Sequence, residues 1–361
     1  VPRDPALEAL HNQALEIARG WSVPDAPASW ELTARIFSLL ADDDDLLALA
    51  VQVPPDRLPA LLFCAAARHL VTELAPPELA RYFPTGGDSQ PTLDAGFDPA
   101  FRSFCLHHRS EILTLCRRHR YQMNEVARST QVALAVGLVS SRHPGSKIAL
   151  IDIGTGSGLG LHIDRYGYRL SDGRQFGDHA SPLQLLTLIE GALEPPIPFM
   201  LPPISMRIGI DVDPIDLADP DARRWVRSCV PPEAESLSRF DRAVEIAVAH
   251  RQTLRRGDAI ELLPDLLAQV PSDHLTIAVD AFTAVFFSDE QRARFRDILA
   301  DHSRARDLDW ISLDPLIPVG TAGRYSVQEL PVDEELVQQY QQGGVFGLLS
   351  VLSFRRGRQS G

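Results

Sequence analysis

The stretch Lys147-Ile-Ala-Leu-Ile-Asp-Ile-Gly-Thr-Gly-Ser-Gly-Leu-Gly160 decides how the rest of this chain is read. Lys147 to Ile153 is an apolar, isoleucine-rich run whose length suits one buried strand, and glycines close it. Asp152 stands near its end, and Gly154, Gly156 and Gly158 follow, each separated by one residue. Glycines placed in this way permit positive φ and let the backbone come close to a ligand. The phosphate-binding dinucleotide fingerprint spaces its last two glycines further apart, as Gly-x-Gly-x-x-Gly. Here the pattern is acidic-x-Gly-x-Gly-x-Gly.

Downstream, short apolar runs alternate with helix-like stretches. Met206–Asp211, Leu254–Ile260, His274–Phe282 and Leu308–Pro315 read as strands or strand ends, and Asp211, Asp258 and Asp280 fall at or just past three of those ends. Helical patterns over 219–229, 238–249, 261–269 and 290–301 separate them. Two further strands, over 324–330 and 345–354, close the chain without a long helix between them. Alternation of this kind predicts a mostly parallel sheet, with the final pair supplying an antiparallel edge. Directly after the glycine loop, Leu161 to Arg174 alternates and carries Ser171-Asp-Gly173, which predicts a small β-hairpin where a plain helix would run on. The proline-rich segment 195–203 reads as a surface loop.

Upstream, residues 6 to about 80 and 101–140 read as helices, interrupted by the polar segment His119–Glu125. The expected division is an all-helical N-terminal cap or lid over 1–103 and an α/β domain over 104–361. The loop Tyr82-Phe-Pro-Thr-Gly-Gly leaves the first helical part. Helical spacing would put Gln122 and Glu125 on one face.

Three long stretches carry a resemblance. They are Leu150-Ile-Asp-Ile-Gly-Thr-Gly-Ser-Gly-Leu-Gly-Leu-His-Ile-Asp-Arg-Tyr166, Gly209-Ile-Asp-Val-Asp-Pro-Ile-Asp-Leu-Ala-Asp-Pro-Asp-Ala-Arg-Arg-Trp225 and Tyr121-Gln-Met-Asn-Glu-Val-Ala-Arg128. The glycine loop and the order of strand ends over about 145–354 resemble the class I S-adenosylmethionine (SAM) methyltransferases. At family level the chain is similar to a large group of bacterial proteins defined only as a domain of unknown function. The resemblance implies a Rossmann-like SAM-binding sheet with a helical N-terminal lid, and SAM as cofactor. It implies no particular substrate.

In an open α/β sheet the ligand lies beyond the carboxyl ends of the strands, so one crevice would gather the candidates. The resemblance gives Gly154, Gly156 and Gly158 the methionine moiety and ribose, and Asp152 the ordering of the loop. Asp211 would accept the ribose hydroxyls, with a capping aspartate as the plain alternative. Asp258, with Ala259, would meet the adenine, or Asp258 is an ordinary turn residue. Asp280 and Phe282 would flank the reaction centre, or Phe282 is core. Gln122 and Asn124 are expected at the amino-acid end of SAM or at the acceptor. Candidate catalytic residues are Tyr82, whose ring face suits a sulfonium, His107, which can titrate near neutrality, Glu125, and Tyr166, beside Asp164 and Arg165 at an acceptor wall. For each of these a solvated or packed residue is the alternative, and Asp164 with Arg165 reads equally as a structural ion pair.

The formal net charge of −13 argues against a general nucleic-acid binder, and Lys147 is the only lysine, which removes Schiff-base chemistry elsewhere. No apolar run reaches the roughly 18 residues of a membrane span. The opening Val-Pro-Arg-Asp-Pro lacks the layout of a secretion signal. Cys64, Cys105, Cys116 and Cys229 form no Cys-x-x-Cys pair and read as buried free thiols in a cytoplasmic protein. Asp211, Asp213, Asp216 and Asp219 raise the question of a metal, but read better as one ribose ligand followed by helix-start residues, so no metal is expected. The expected activity is transfer to a small molecule, with methyl transfer leading. Use of the aminocarboxypropyl arm, with release of methylthioadenosine, is the alternative, and a SAM-binding regulator without chemistry is the third reading. A homodimer is left open.

Overall fold

The computed structural model describes residues 4–23, 26–84, 90–189, 201–250, 252–318, 325–328, 330–342 and 347–360. Most of the proline-rich segment 195–203, and the first residues of the expected strands at 324 and 345, lie outside them. The chain divides into two compact units, one of residues 1–125 with 218–241, the other of 126–217 with 242–361.

The second unit is built on a seven-stranded sheet. Its strands are β1 (Lys147–Ile153), β2 (Ile204–Asp211), β3 (Thr253–Arg256), β4 (His274–Ala281), β5 (Leu308–Asp314), β6 (Leu348–Arg355) and β7 (Arg358–Ser360). Their spatial order is β7-β6-β5-β4-β1-β2-β3. β1 to β5 are parallel, and β6 runs antiparallel to β5 and to β7. The mixed, mostly parallel sheet agrees with the alternation in the sequence. The antiparallel strand lies one in from the edge, because the turn at Arg356-Gly357, both in left-handed backbone, folds β7 back onto it.

β1 is central because it is apolar on both faces. Ala149, Ile151 and Ile153 belong to a core with Ile208, Ile210, Phe295 and Trp310, which the helices Ala259–Ala268 and Asp289–Ser303 cover. Side chains alternate along a strand, so Ile148, Leu150 and Asp152 face the other way. From β1 the chain builds outward to β2 and β3, then crosses back to β4 on the opposite side. That reversal is a topological switch point, where such sheets open a crevice at the strands' carboxyl ends.

The glycine loop does not lead into a long helix. A short 3-10 segment, Leu159–Arg165, follows, and then the expected hairpin, Gly167–Leu170 with Gln175–Gly177. A third strand, Gln184–Thr187, joins it in parallel. The segment predicted as a strand over 324–330 lies outside the main sheet. Its residues Tyr325–Val327 pair with Ile317–Pro318 and with Leu330–Pro331, and a nine-residue helix, Glu334–Gln342, precedes β6.

The other unit, taken by itself, holds only helices and loops among its described residues. The polar segment 119–125 is not helical, which corrects the placing of Gln122 and Glu125 on one helical face. Local and tertiary bonds compete with a helix there. Asn124 Nδ2 donates to the Gln122 carbonyl at 3.0 Å, and Trp225 Nε1 donates to the Arg120 carbonyl at 3.1 Å. The four cysteines are buried and unpaired, and burial pushes the Cys116 and Cys229 thiols up to about 12. Among the described residues no helix is long and apolar enough to cross a membrane.

One buried ion pair ties the hairpin region to the sheet. Asp164 meets Arg207 of β2 through two bonds of 2.7 Å, with the side chains 7% and 6% exposed. Asp164 also accepts from the Ile204 amide at 3.0 Å, so its partner is Arg207 and its role is structural. Asp164→Ala should leave the Arg207 charge buried and unmatched, and lower unfolding stability by about 3–5 kcal/mol in denaturant titration. A loss below about 1 kcal/mol, the range of an exposed pair, would show the pair to be solvated.

Candidate functional site

The backbone at the carboxyl end of β1 is turned by glycines. Gly154, Gly156 and Gly158 all have positive φ, at 71°, 57° and 78°. The Gly154 and Thr155 amides both donate to the Ile210 carbonyl of β2, at 2.8 and 3.1 Å. The Gly156 amide donates to Asp211 Oδ2 at 2.9 Å, and Asp211 Oδ1 accepts from the Asp213 amide at 2.8 Å. Ile215 then returns its amide to the Gly156 carbonyl at 3.0 Å. The acid that closes β2 therefore pins the loop that closes β1.

Space around the loop is as tightly set as its dihedrals. A Cβ on Gly154 would collide with the Thr283 side chain, and one on Gly158 would come within 2.5 Å of Gln252 Oε1. Gly209 of β2 leaves room for Thr155, whose Cγ2 would stand 2.5 Å from a Cβ there. Thr155 Oγ1 in turn donates to Asp152 Oδ2 at 2.7 Å. On the far side Gln252 Oε1 meets His162 Nε2 at 2.9 Å, and burial lowers the His162 pKa to about 4, so its ring is neutral at pH 7. Asp152 is 9% exposed, and burial raises its carboxyl to about 6 against the opposing pull of the Thr155 bond and of Arg128.

Two more acids stand on the adjacent strands. Asp280, beside Ile153 in register, accepts from Ser312 Oγ at 3.0 Å and Trp310 Nε1 at 3.3 Å. Asp314 accepts from the Ala284 amide at 3.1 Å. Both are buried and close enough to share a proton. Burial first, and then the Asp314 charge, raises Asp280 well above the usual carboxylate range, while burial brings Asp314 to about 6. Asp280 is thus enclosed between β4 and β5, 1% exposed, with both oxygens engaged by neighbours.

Asp258 is exposed and caps the helix Ala259–Ala268, accepting from the Ile260 amide at 2.7 Å, with half-buried Ala259 as the first helical residue. Phe282, past the end of β4, is half-buried with φ of 59°. Tyr166 is fully enclosed and its hydroxyl donates to the Leu159 carbonyl at 2.7 Å, so it braces the turn after the loop and presents no face outward. Asp219 is the N-cap of the helix Pro220–Cys229, as its place before Pro220 suggested.

The remaining candidates belong to the helical unit. Tyr82 is 1% exposed, its ring packs edge-on against Phe97 at 5.3 Å, and its hydroxyl donates to Asp94 and accepts from Arg81. His107 ends the helix Phe97–His107 and is exposed, its ring edge-on to His108 at 4.7 Å. Glu125 pairs with Arg239 at 3.3 Å. Gln122 is half-buried and Asn124 is 9% exposed. The structure therefore gathers Asp152, the three glycines, Asp211, Asp258 and Asp280 on one sheet edge. Thr155, inside the glycine motif, joins them, as do Thr283 and Asp314, which no motif spacing announces.

Residues 24–343 match the DUF2332 family, described as uncharacterized proteins conserved in bacteria. The chain belongs to that family. No curated protein matches the chain. Among solved structures, this DUF2332 protein is similar to the SAM-bound magnesium protoporphyrin IX methyltransferase of Synechocystis PCC 6803. The likeness covers 65% of this chain and 85% of that one at 11% identity, with a TM-score of 0.26.

The raised Asp152 carboxyl carries a test. Its folded pKa of about 6 exceeds the unfolded value of 3.8, so the folded state binds the extra proton between those pH values. Stability is therefore favoured at low pH and lost as pH rises toward and through 6. Asp152→Asn keeps an acceptor for Thr155 without the charge. Between pH 4 and 7.5 the variant should lose less stability than the parent by on the order of 2 kcal/mol in urea titrations. Parallel pH profiles would show that Asp152 is solvated.

Proposed function

We propose that this DUF2332 protein is a SAM-dependent transferase acting on a small molecule, with methyl transfer as its reaction. The observation that carries the reading is the charge of the cradle. Three positive-φ glycines open the backbone to a ligand, and two carboxylates, Asp152 and Asp211, border it. Dinucleotide-binding glycine loops also use an acid further along the chain to hold a ribose, so Asp211 suits either ligand, and Asp152, beside the glycines in β1, is the acid that disfavours a phosphate. An acidic cradle instead suits hydroxyls and a cation. Asp211 is placed to exchange or share its Gly156 bond with a ribose diol, and Asp152 offers a counter-charge to a ligand that bears a sulfonium and an ammonium.

SAM would supply the electrophilic methyl carbon. The chain's own part is to orient it, exclude water and position an acceptor, which accounts for much of the rate of a displacement reaction. Asp280 and Asp314 hold a proton between them at the edge of the crevice, buried behind the strand ends. In this reading the helical N-terminal region, residues 1–103, serves as the lid, with Tyr82 as its candidate contact, and His107, Gln122, Asn124 and Glu125 are further candidates for contact with ligand or acceptor. Tyr166 acts through its bond to Leu159 by holding the loop's exit.

Mass spectrometry of the protein incubated with SAM, alone and with a panel of small-molecule acceptors, tests the reaction. S-adenosylhomocysteine above the enzyme-free control is the expected product. Methylthioadenosine with an aminocarboxypropyl-derived product would overturn methyl transfer and make the protein a user of the other arm. Tight SAM binding with neither product would make it a regulator.

A further inference from the structure

We propose that Arg128 receives the carboxylate at the amino-acid end of the adenosyl ligand, with the Phe282 ring seating its guanidinium. The inference rests on the SAM reading above and deepens it. Arg128 closes the 3-10 turn Val126–Arg128, immediately before the helix Ser129–Ser141. That helix leads through a short turn into β1. The helix packs against β5 and β6 and against the Leu159–Arg165 segment that follows the glycine loop.

Two further observations fix Arg128 near the glycine loop. Its guanidinium carbon lies 5.1 Å from the centroid of the Phe282 ring, at the end of β4. Its charge also reaches Asp152, whose carboxyl it pulls downward against burial. Asp152 lies on the face of β1 opposite the Ile151–Trp310 core, the face open to this helix.

Phe282 is held for a purpose that packing alone does not explain. A bulky residue at φ of 59° is a strained backbone outlier, and such strain collects at ligand clamps. The Phe282 amide is tied to the Leu313 carbonyl at 2.9 Å, and a Cβ on Gly347 would come 3.3 Å from the ring. Left-handed backbone here turns the ring under the guanidinium. Stacking engages the face of an arginine, whereas its N–H donors lie in the plane, in the fork geometry that matches a carboxylate. Four of the described strand ends carry Asp152, Asp211, Asp280 and Asp314, and the basic end of β3, Arg256, is paired with Asp213. A ligand carboxylate entering that crevice requires a cation, and Arg128 supplies one.

The experiment compares two ligands by calorimetry on the full chain. S-adenosylhomocysteine carries the amino-acid arm, and methylthioadenosine shares the adenosyl part but lacks that arm. Arg128→Ala should weaken the first by about 10- to 100-fold and leave the second within about twofold. Equal weakening of both would overturn the assignment and make Arg128 a structural counter-charge, as would unchanged binding of both. If Arg128→Ala fails to fold by circular dichroism, Arg128→Lys serves instead. Lysine keeps the charge without the fork, so a selective loss of S-adenosylhomocysteine affinity supports the assignment and an equal or absent loss rejects it. A parent protein that binds neither ligand would overturn the SAM reading itself. A parent that binds both, with variants that do not discriminate, would leave that reading standing and remove only Arg128.

Discussion

The bond from the Gly156 amide to the Asp211 carboxylate holds the centre of this molecule together. It joins the turn after β1 to the last residue of β2, and it does so across the switch point of the sheet. Every neighbouring feature accommodates it. Gly209 is small so that Thr155 can pass, Thr155 caps Asp152, and Gly158 is small so that Gln252 can close the far side. The loop is thus over-determined by contacts on both faces, and such redundancy is what lets a run of left-handed residues persist.

The same arrangement sets the chemistry. In the proposed function the carboxylates beside the glycine loop favour a cationic ligand over an anionic one. The strand ends also bury ionisable groups, seen in the raised carboxyls of Asp152, Asp280 and Asp314, the last two holding a proton between them. A buried carboxylate without a matching cation costs free energy, which a cationic ligand would offset. The folded chain tolerates this charge through specific donors, namely Thr155, Ser312, Trp310 and the Ala284 amide.

Much of this was legible from the residues. The β1 run, the series of strand ends at Asp211, Asp258 and Asp280, and the hairpin at Ser171-Asp-Gly173 all follow from local pattern and turn chemistry. What escaped depends on contacts distant in sequence. Asp164 looks paired with adjacent Arg165, yet its partner is Arg207, because β2 packs against the 3-10 segment Leu159–Arg165. Gln122 and Glu125 look helical by spacing, but Trp225 draws the backbone of that segment into an irregular course. Tyr166 looks available as an aromatic wall, and only the fold shows its hydroxyl committed to Leu159. Arg128 gave no signal beyond its place in a motif, since its stacking partner lies on β4's far end.

In the proposed function the acid beside the glycine loop selects a cationic adenosyl ligand over a phosphate-bearing one. Binding of SAM and of NAD measured side by side by calorimetry tests this selection most directly. The account predicts saturable heat with SAM and none with NAD. Comparable or tighter binding of NAD would contradict it, and would mean that the loop cradles a pyrophosphate despite Asp152.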